Sequence, residues 1–286
     1  MTESSTERVT APGSAAYFNQ EAEKYDSAYD APTPGGYALR VRQQRVLELL
    51  GRRAGKALDV GCGAGRMASP LIDMGYEFWG VDAAPAMIDQ CRQRYRDDAR
   101  AHFSVGDAHE LAFEDASFDA VLCMGVIDRI QNWEAAIAEM ARVLKPGGTL
   151  IVTFPNLSSP YAWWKNFVFY PAMAIIRPLY FRLSRRPPPA ALYNRVDLRG
   201  RLSLLASFAT LQTARAVTRF FDGLGLPVTD VVYYNFTLFL SPFDELFPAL
   251  SLRLSERTER LRFGRFQWIG AGYIVKADKP LSNDHR

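Results

Sequence analysis

Short, nearly continuous apolar runs alternate along this chain with segments in which apolar residues return every three or four positions. The runs at 57–60, 76–81, 102–105, 118–123 and 149–154 predict strands, since a strand covered on both faces has no polar face to present. The segments at 66–74, 85–95 and 134–144 predict helices between them. Pro85 suits the first turn of the second helix, and KPGG stops the third. Upstream, 16–29 and 37–51 have helical spacing, with the loop residues DAPTPGG between them. Downstream, 211–224 predicts a covering helix, and 228–239 and 268–276 predict two further strands with a helix between. The alternation makes an α/β fold: a doubly wound, Rossmann-like sheet of seven mostly parallel strands. Residues 156–210 break the rhythm. Rich in Trp, Tyr, Phe, Pro and Arg, they predict a cap inserted after the fifth strand.

No Gly/Ser- or Pro-rich linker divides the chain, so 15–286 reads as one domain with its core at 57–155. Residues 1–14 are polar, lack the apolar centre of a signal peptide and predict a disordered lead-in. A net charge of +3 over 286 residues is too small for a nucleic-acid footprint, and no nucleic-acid partner is expected. Cys62, Cys91 and Cys123 are odd in number and have no metal-ligand spacing. They fit a reducing, cytoplasmic compartment and no metal site. The greasiest stretch, 161–183, is interrupted by Lys165, Arg177 and Arg182. It is therefore no bilayer span, although peripheral membrane contact through 160–186 suits its mixture of aromatic and basic residues.

ALDVGCGAGRM places glycine at 61, 63 and 65 directly behind the first strand, where doubly wound sheets bind ligands. Glycine here serves a tight turn, or it lets a ligand approach closely and meet backbone N–H groups. Asp82 ends the second strand seventeen residues beyond Gly65, where a carboxylate accepts ribose hydroxyls. Asp107 follows the third strand, as an acceptor for an adenine amine or as a plain turn carboxylate. Together these features predict adenosine binding. Arg66 stands where the dinucleotide fingerprint needs glycine, which argues against a dehydrogenase.

LDVGCGAG, GVDAAPAMI, GDAHELAFEDASFDAVLCMGVI and EMARVLKPGGTLIVTFPN, in that order, resemble successive motifs of the class I S-adenosylmethionine-dependent methyltransferases, the small-molecule branch especially. YFNQEAEKYDSAY is similar to that branch's lid helix. The resemblance implies S-adenosylmethionine as cofactor. Asp59 would orient the loop or meet the methionine ammonium, while Gly61, Cys62, Gly63 and Gly65 form the loop itself. Asp82 and Ala83 would hold the ribose, Met87 would pack on the adenine, and Asp107 and Ala108 would read its edge. Cys123 and Met124, with Gly125, would line the sulfonium; Cys123 equally reads as a core thiol. Tyr25 and Tyr29, one helical turn apart, either close over the sulfonium or pack as an ordinary lid.

Relatives commonly carry a histidine pair after the fourth strand, where this chain has VIDRI. Asp128 is then a candidate general base for a phenol or alcohol, or half of a surface ion pair with Arg129. His102, His109 and His285 do not fall where a base is expected, and His109 reads as structural. The aromatic residues of 156–210 form either the underside of a cap or a tunnel for a lipid-like or aromatic substrate, with Trp163, Trp164 and Tyr193 on the substrate side. The expected function is methyl transfer to a hydrophobic small molecule. A methyltransferase-fold scaffold without turnover is the alternative.

Overall fold

The computed structural model describes residues 14–20, 22–51, 54–169, 171–173, 175–176, 182, 213–236, 247–261 and 264–281. Seven strands form one sheet: β1 (Gly55–Val60), β2 (Tyr76–Asp82), β3 (Ala101–Val105), β4 (Phe118–Cys123), β5 (Leu144–Pro155), β6 (Val228–Tyr234) and β7 (Gly272–Asp278). Their order is β3-β2-β1-β4-β5-β7-β6. The first five run parallel, and β7 lies antiparallel between β5 and β6. Strand order reverses between β1 and β4, so the carboxyl ends of these two strands flank the crevice in which such sheets bind ligands.

The near-continuous apolar runs are divided strictly by the period of two. In β1, Leu58 and Val60 join Val121, Cys123, Leu150 and Val152 in one core cluster. That cluster packs under α6 (Trp133–Val143) through Ile137 and Met140, and under α8 (Ala214–Gly223) through Val217 and Phe221. Ala57, Ala120, Leu122 and Ile151 face the other way, onto α3 (Pro34–Leu50) and α4 (Ala68–Asp73). Pro34 at the first position of α3 and Thr33, whose Oγ1 accepts the Gly36 N–H at 3.1 Å, begin that helix. Helix α5 (Pro85–Arg94) covers β2 and β3.

The expected helix at 16–29 is present as α1 (Ser14–Gln20) and α2 (Ala22–Asp30). Two expectations need correction. The last strand begins at Gly272 rather than 268, because 264–269 makes a 3-10 turn. Buried Asn156 fixes that turn, its Nδ2 donating to the carbonyls of Trp268 at 2.6 Å and Gly270 at 2.7 Å. Strand β5 also starts earlier than expected. Leu144 already pairs with Phe118, and KPGG passes as an irregularity before Thr149 pairs with Ala120. The end of the sixth expected strand, the N-terminal lead-in through 13 and most of the cap, including Tyr193, lie outside the described residues. The cap's described beginning is α7 (Pro160–Trp164) followed by a wide helical turn at 165–169. No described helix is long and apolar enough to cross a membrane.

Candidate active site

The three loop glycines have three different jobs, all at positive φ: +75° at Gly61, +52° at Gly63 and +73° at Gly65. A Cβ on Gly61 would lie 2.1 Å from Val126 Cγ2, so this glycine lets the β1 and β4 loops touch. A Cβ on Gly65 would press on Cys91 Sγ at 3.0 Å and on the Phe103 and Tyr95 rings at 3.3 Å. Gly65 therefore seats α5 and β3 and does not face the cleft. A Cβ on Gly63 would meet only Tyr25, at 3.5 Å. Gly63 is the place for close approach. The expectation that this loop offers its N–H groups to a ligand is not met. Gly61 and Cys62 donate to the Val81 carbonyl, Gly65 to the Cys62 carbonyl, and Gly63 to Asp82 Oδ2 at 2.8 Å. Any side chain is strained at φ +52°, so we expect Gly63→Ala to lower the melting temperature modestly and lose most cofactor affinity. Gly65→Ala, which also presses on Cys91, Phe103 and Tyr95, lowers the melting temperature more; thermal unfolding and calorimetry on both variants separate the two roles.

Around Gly63 lies a cleft. Asp82, Ala83, Met87, Gly106, Asp107 and Ala108 line one side, and Met124, Gly125, Val126 and Ile130 the other. A smaller pocket continues from it beneath Tyr25 and Tyr29, past Gly61, Cys62 and Met124, to Asp59. Asp59 is buried and its Oδ1 has no hydrogen-bond partner. Burial above all, with the Asp82 charge adding and Arg42 opposing, pushes its carboxyl up to about 7. Asp82 also binds the Ala84 N–H at 2.9 Å through Oδ1, so one carboxylate ties both rims of the cleft. Asp107 accepts from the His109 N–H, and the same oxygen lies 2.7 Å from the His109 ring, which reaches the Gln131 carbonyl at its other nitrogen. His109 is thus a structural brace.

Helices α1 and α2 lie over the cleft. Phe18 and Tyr25 line it and meet edge to face, with ring centres 5.3 Å apart. An ionic lock holds these helices to the glycine loop: Arg66 donates to Asp26 at 2.6 Å and to Asp30 at 2.6 Å, and Arg94 pairs with Asp26 while donating to the Ala64 carbonyl. Burial raises the Asp26 carboxyl, but the two guanidiniums outweigh it and hold the group below its ordinary range. We expect Asp26→Ala to loosen the lid, seen as faster proteolysis at 14–30 and a faster cofactor off-rate, while cofactor contacts elsewhere persist.

The methyltransferase domain family profile matches residues 58–152. The demethylmenaquinone methyltransferase of Beutenbergia cavernae is 30% identical over 174 residues, spanning 60% of this chain and 70% of that protein. The ubiquinone biosynthesis O-methyltransferase of Xanthomonas oryzae pv. oryzae is 30% identical over 156 residues, or 51% of this chain and 65% of that one. Among solved structures, Haemonchus contortus phosphoethanolamine N-methyltransferase 2 with S-adenosyl-L-methionine shares the fold at a TM-score of 0.56 and 20% identity, covering 92% of this chain and 58% of that one. The chain belongs to the class I S-adenosylmethionine-dependent methyltransferases. S-adenosylmethionine is accordingly the cofactor.

The residues present in this methyltransferase fit that cofactor. The partnerless Asp59 Oδ1 would receive an ammonium, the open face of Gly63 would pass the methionyl and ribose parts, and Asp82 and Asp107 would take hydroxyl and amine donors. Three expected site residues line neither described cavity: Gly65, for the reason above, Cys123, which is fully buried in the core, where desolvation pushes its thiol up, and Asp128, in the turn after β4. The Cys62 thiol likewise points into the sheet, against Gly80, with Cys91 beside it. The Asp128–Arg129 ion pair does not form. Arg129 donates to the Gly125 carbonyl at 3.2 Å and lies over the Phe18 ring, 4.8 Å from its centre. Trp163 and Trp164 line neither described cavity. Sequence reasoning missed Phe18, which lines the cleft. Phe18 was findable, seven residues before Tyr25 on one helical face.

Proposed function

We propose that this methyltransferase acts on a hydrophobic aromatic small molecule carrying a lipid-like tail. The supporting observation is the exposed ridge directly after β5, where Trp163 is 58% and Phe167 66% exposed and their rings meet at 5.9 Å. Ile175 and Ile176 are also exposed. Such a ridge, leaving the sheet after the carboxyl end of β5, suits an enzyme that meets its acceptor at a lipid surface. The two relatives above, named for quinone substrates, point to the same acceptor class.

When bound, S-adenosylmethionine supplies a methyl on a sulfonium, whose sulfur keeps the C–S electron pair as the methyl leaves. The protein's share is orientation and dryness. Phe18 and Tyr25 exclude water from above, and Met124 and Gly125 wall the site at the end of β4. Asp128, in the 3-10 turn Ile127–Arg129 between the cleft-lining Val126 and Arg129, is our candidate for the acceptor's proton sink, with its own side chain outside the lining of both described cavities. Tyr29 serves as a wall: burial pushes its phenol up, so it stays neutral.

Incubation with methyl-labelled cofactor and a short-tailed polyprenyl hydroquinone or catechol should give a labelled product one methyl heavier. Turnover confined to a small, fully polar amine or sugar would overturn the reading, and cofactor binding without turnover of any acceptor would favour a scaffold. Exchanging Trp163 and Phe167 for serine should lower vesicle sedimentation about fivefold and raise the acceptor KM while sparing cofactor affinity.

A further inference from the structure

Arg42 is a cation with no carboxylate partner among the described residues. It projects from α3 to the end of β4, where a Cβ on Gly125 would lie 2.3 Å from its Nη1. Its Nε is buried and makes no hydrogen bond. Its Nη2 donates to the Tyr29 hydroxyl, at 3.4 Å, and Tyr234 on β6 is its other side-chain partner. Burial keeps both tyrosines neutral, so neither cancels the charge. The carboxyl of Asp59 feels Arg42 but is itself held up by burial. Tyr25 on α2 and the Cys123 thiol also face Arg42, and Asp128 acts on Tyr234 and Cys123 from the turn after β4.

A guanidinium without a directly paired carboxylate is electrostatically awkward here, because Gly125 also borders the cleft in which the cofactor's sulfonium would lie. Two cations facing one another in a partly buried site repel. An anion set between them removes that cost and is attracted by both. We propose that Arg42, with the Tyr29 and Tyr234 hydroxyls, is an oxyanion subsite that holds the acceptor through the deprotonated oxygen of an acidic ring hydroxyl. This rests on the aromatic-acceptor reading above. Guanidinium suits the role because it stays charged and offers several N–H donors in one plane. Methylation at that oxygen would replace the anion by a neutral ether, which Arg42 no longer attracts, so the subsite also favours product release.

The probe is 4-nitrophenol, which ionises near neutrality and is yellow only as the anion. It is titrated against pH with the full chain saturated in S-adenosylhomocysteine, and 4-nitroanisole serves as the neutral control. The bound phenol should ionise about one pH unit lower than the free one, a tenfold preference for the anion. Arg42→Met should remove that shift and weaken nitrophenolate binding at least about tenfold, leaving nitroanisole unaffected, with partial recovery in Arg42→Lys. An unshifted ionisation in the native chain, or no phenol binding at all, overturns the proposal without any variant. Separate calorimetry of S-adenosylhomocysteine distinguishes this failure from that of the methyltransferase reading. Binding of the cofactor product with no phenolate preference sinks only the Arg42 subsite.

Discussion

Replacing Asp82 with alanine will lower cofactor affinity by at least about a hundredfold, near 2.7 kcal/mol, and will also destabilise the free protein. A carboxylate that merely touched ribose would give the first effect without the second. Here Oδ2 accepts the Gly63 N–H at 2.8 Å and Oδ1 the Ala84 N–H at 2.9 Å. Each is a charge-assisted bond in a partly buried setting, contributing roughly 1.5–3 kcal/mol. Removing the side chain leaves both donors unpaired, and the Gly63 turn, at φ +52°, loses the group that holds it. Asp82→Asn will not restore the turn, because an amide can satisfy only one of the two N–H groups and meets the other with a donor. Calorimetric titration of S-adenosylhomocysteine and thermal unfolding of the same samples are the measurements. Affinity within about threefold of the native value would show that Asp82 shapes the loop and nothing more.

The core was legible because its signal is local and repeated. Apolar runs long enough for one strand, helices of one length, and glycine and aspartate at strand ends fix a parallel sheet with its crevice at β1 and β4. Asp82 and Asp107 follow from that register, Asp59, Met87 and Met124 from the family resemblance, and all five line the described cavities. What failed needed three dimensions. Nothing local distinguishes Gly65, which makes room for Cys91 and Phe103, from Gly63, which faces the cleft. Cys123 differs from Met124 only by the strand's alternation at its last residue, where the strand ends and the loop begins. Arg42 was invisible because one cationic residue on an amphipathic helix looks like any solvated charge until β4 and β6 are placed against it. The Asp128–Arg129 pair failed for a plain geometric reason. Arg129 turns to the Phe18 ring and the Gly125 carbonyl instead, which takes its guanidinium away from its neighbour.

Asp59 makes cofactor binding expel a proton, and the direction of that exchange should reverse with pH. Burial raises its carboxyl to about 7 in the folded protein, above the ordinary aspartate value. An acid raised in this way keeps the proton more tightly when folded than when unfolded, so stability is greatest at low pH and declines between about 4 and 7. A rise of that size corresponds to a few kcal/mol at most, an upper bound because a buried group relaxes. Asp59→Asn abolishes the titration, so its stability relative to the native chain should climb steadily across that same pH window. An ammonium placed at the partnerless Oδ1 needs the ionised carboxylate. At a pH of about 6 the free protein is mostly protonated there, and binding must release up to one proton. Above about pH 8 the cofactor's own α-amino group is partly neutral and must gain a proton to bind, so release gives way to uptake. Calorimetry in buffers of different ionisation heat reads both. In Asp59→Asn the release near pH 6 should vanish and affinity should fall about a hundredfold, since a neutral amide neither pairs with the ammonium nor titrates. Equal proton release in the native chain and in the Asp59→Asn variant would place the ammonium elsewhere in the cleft.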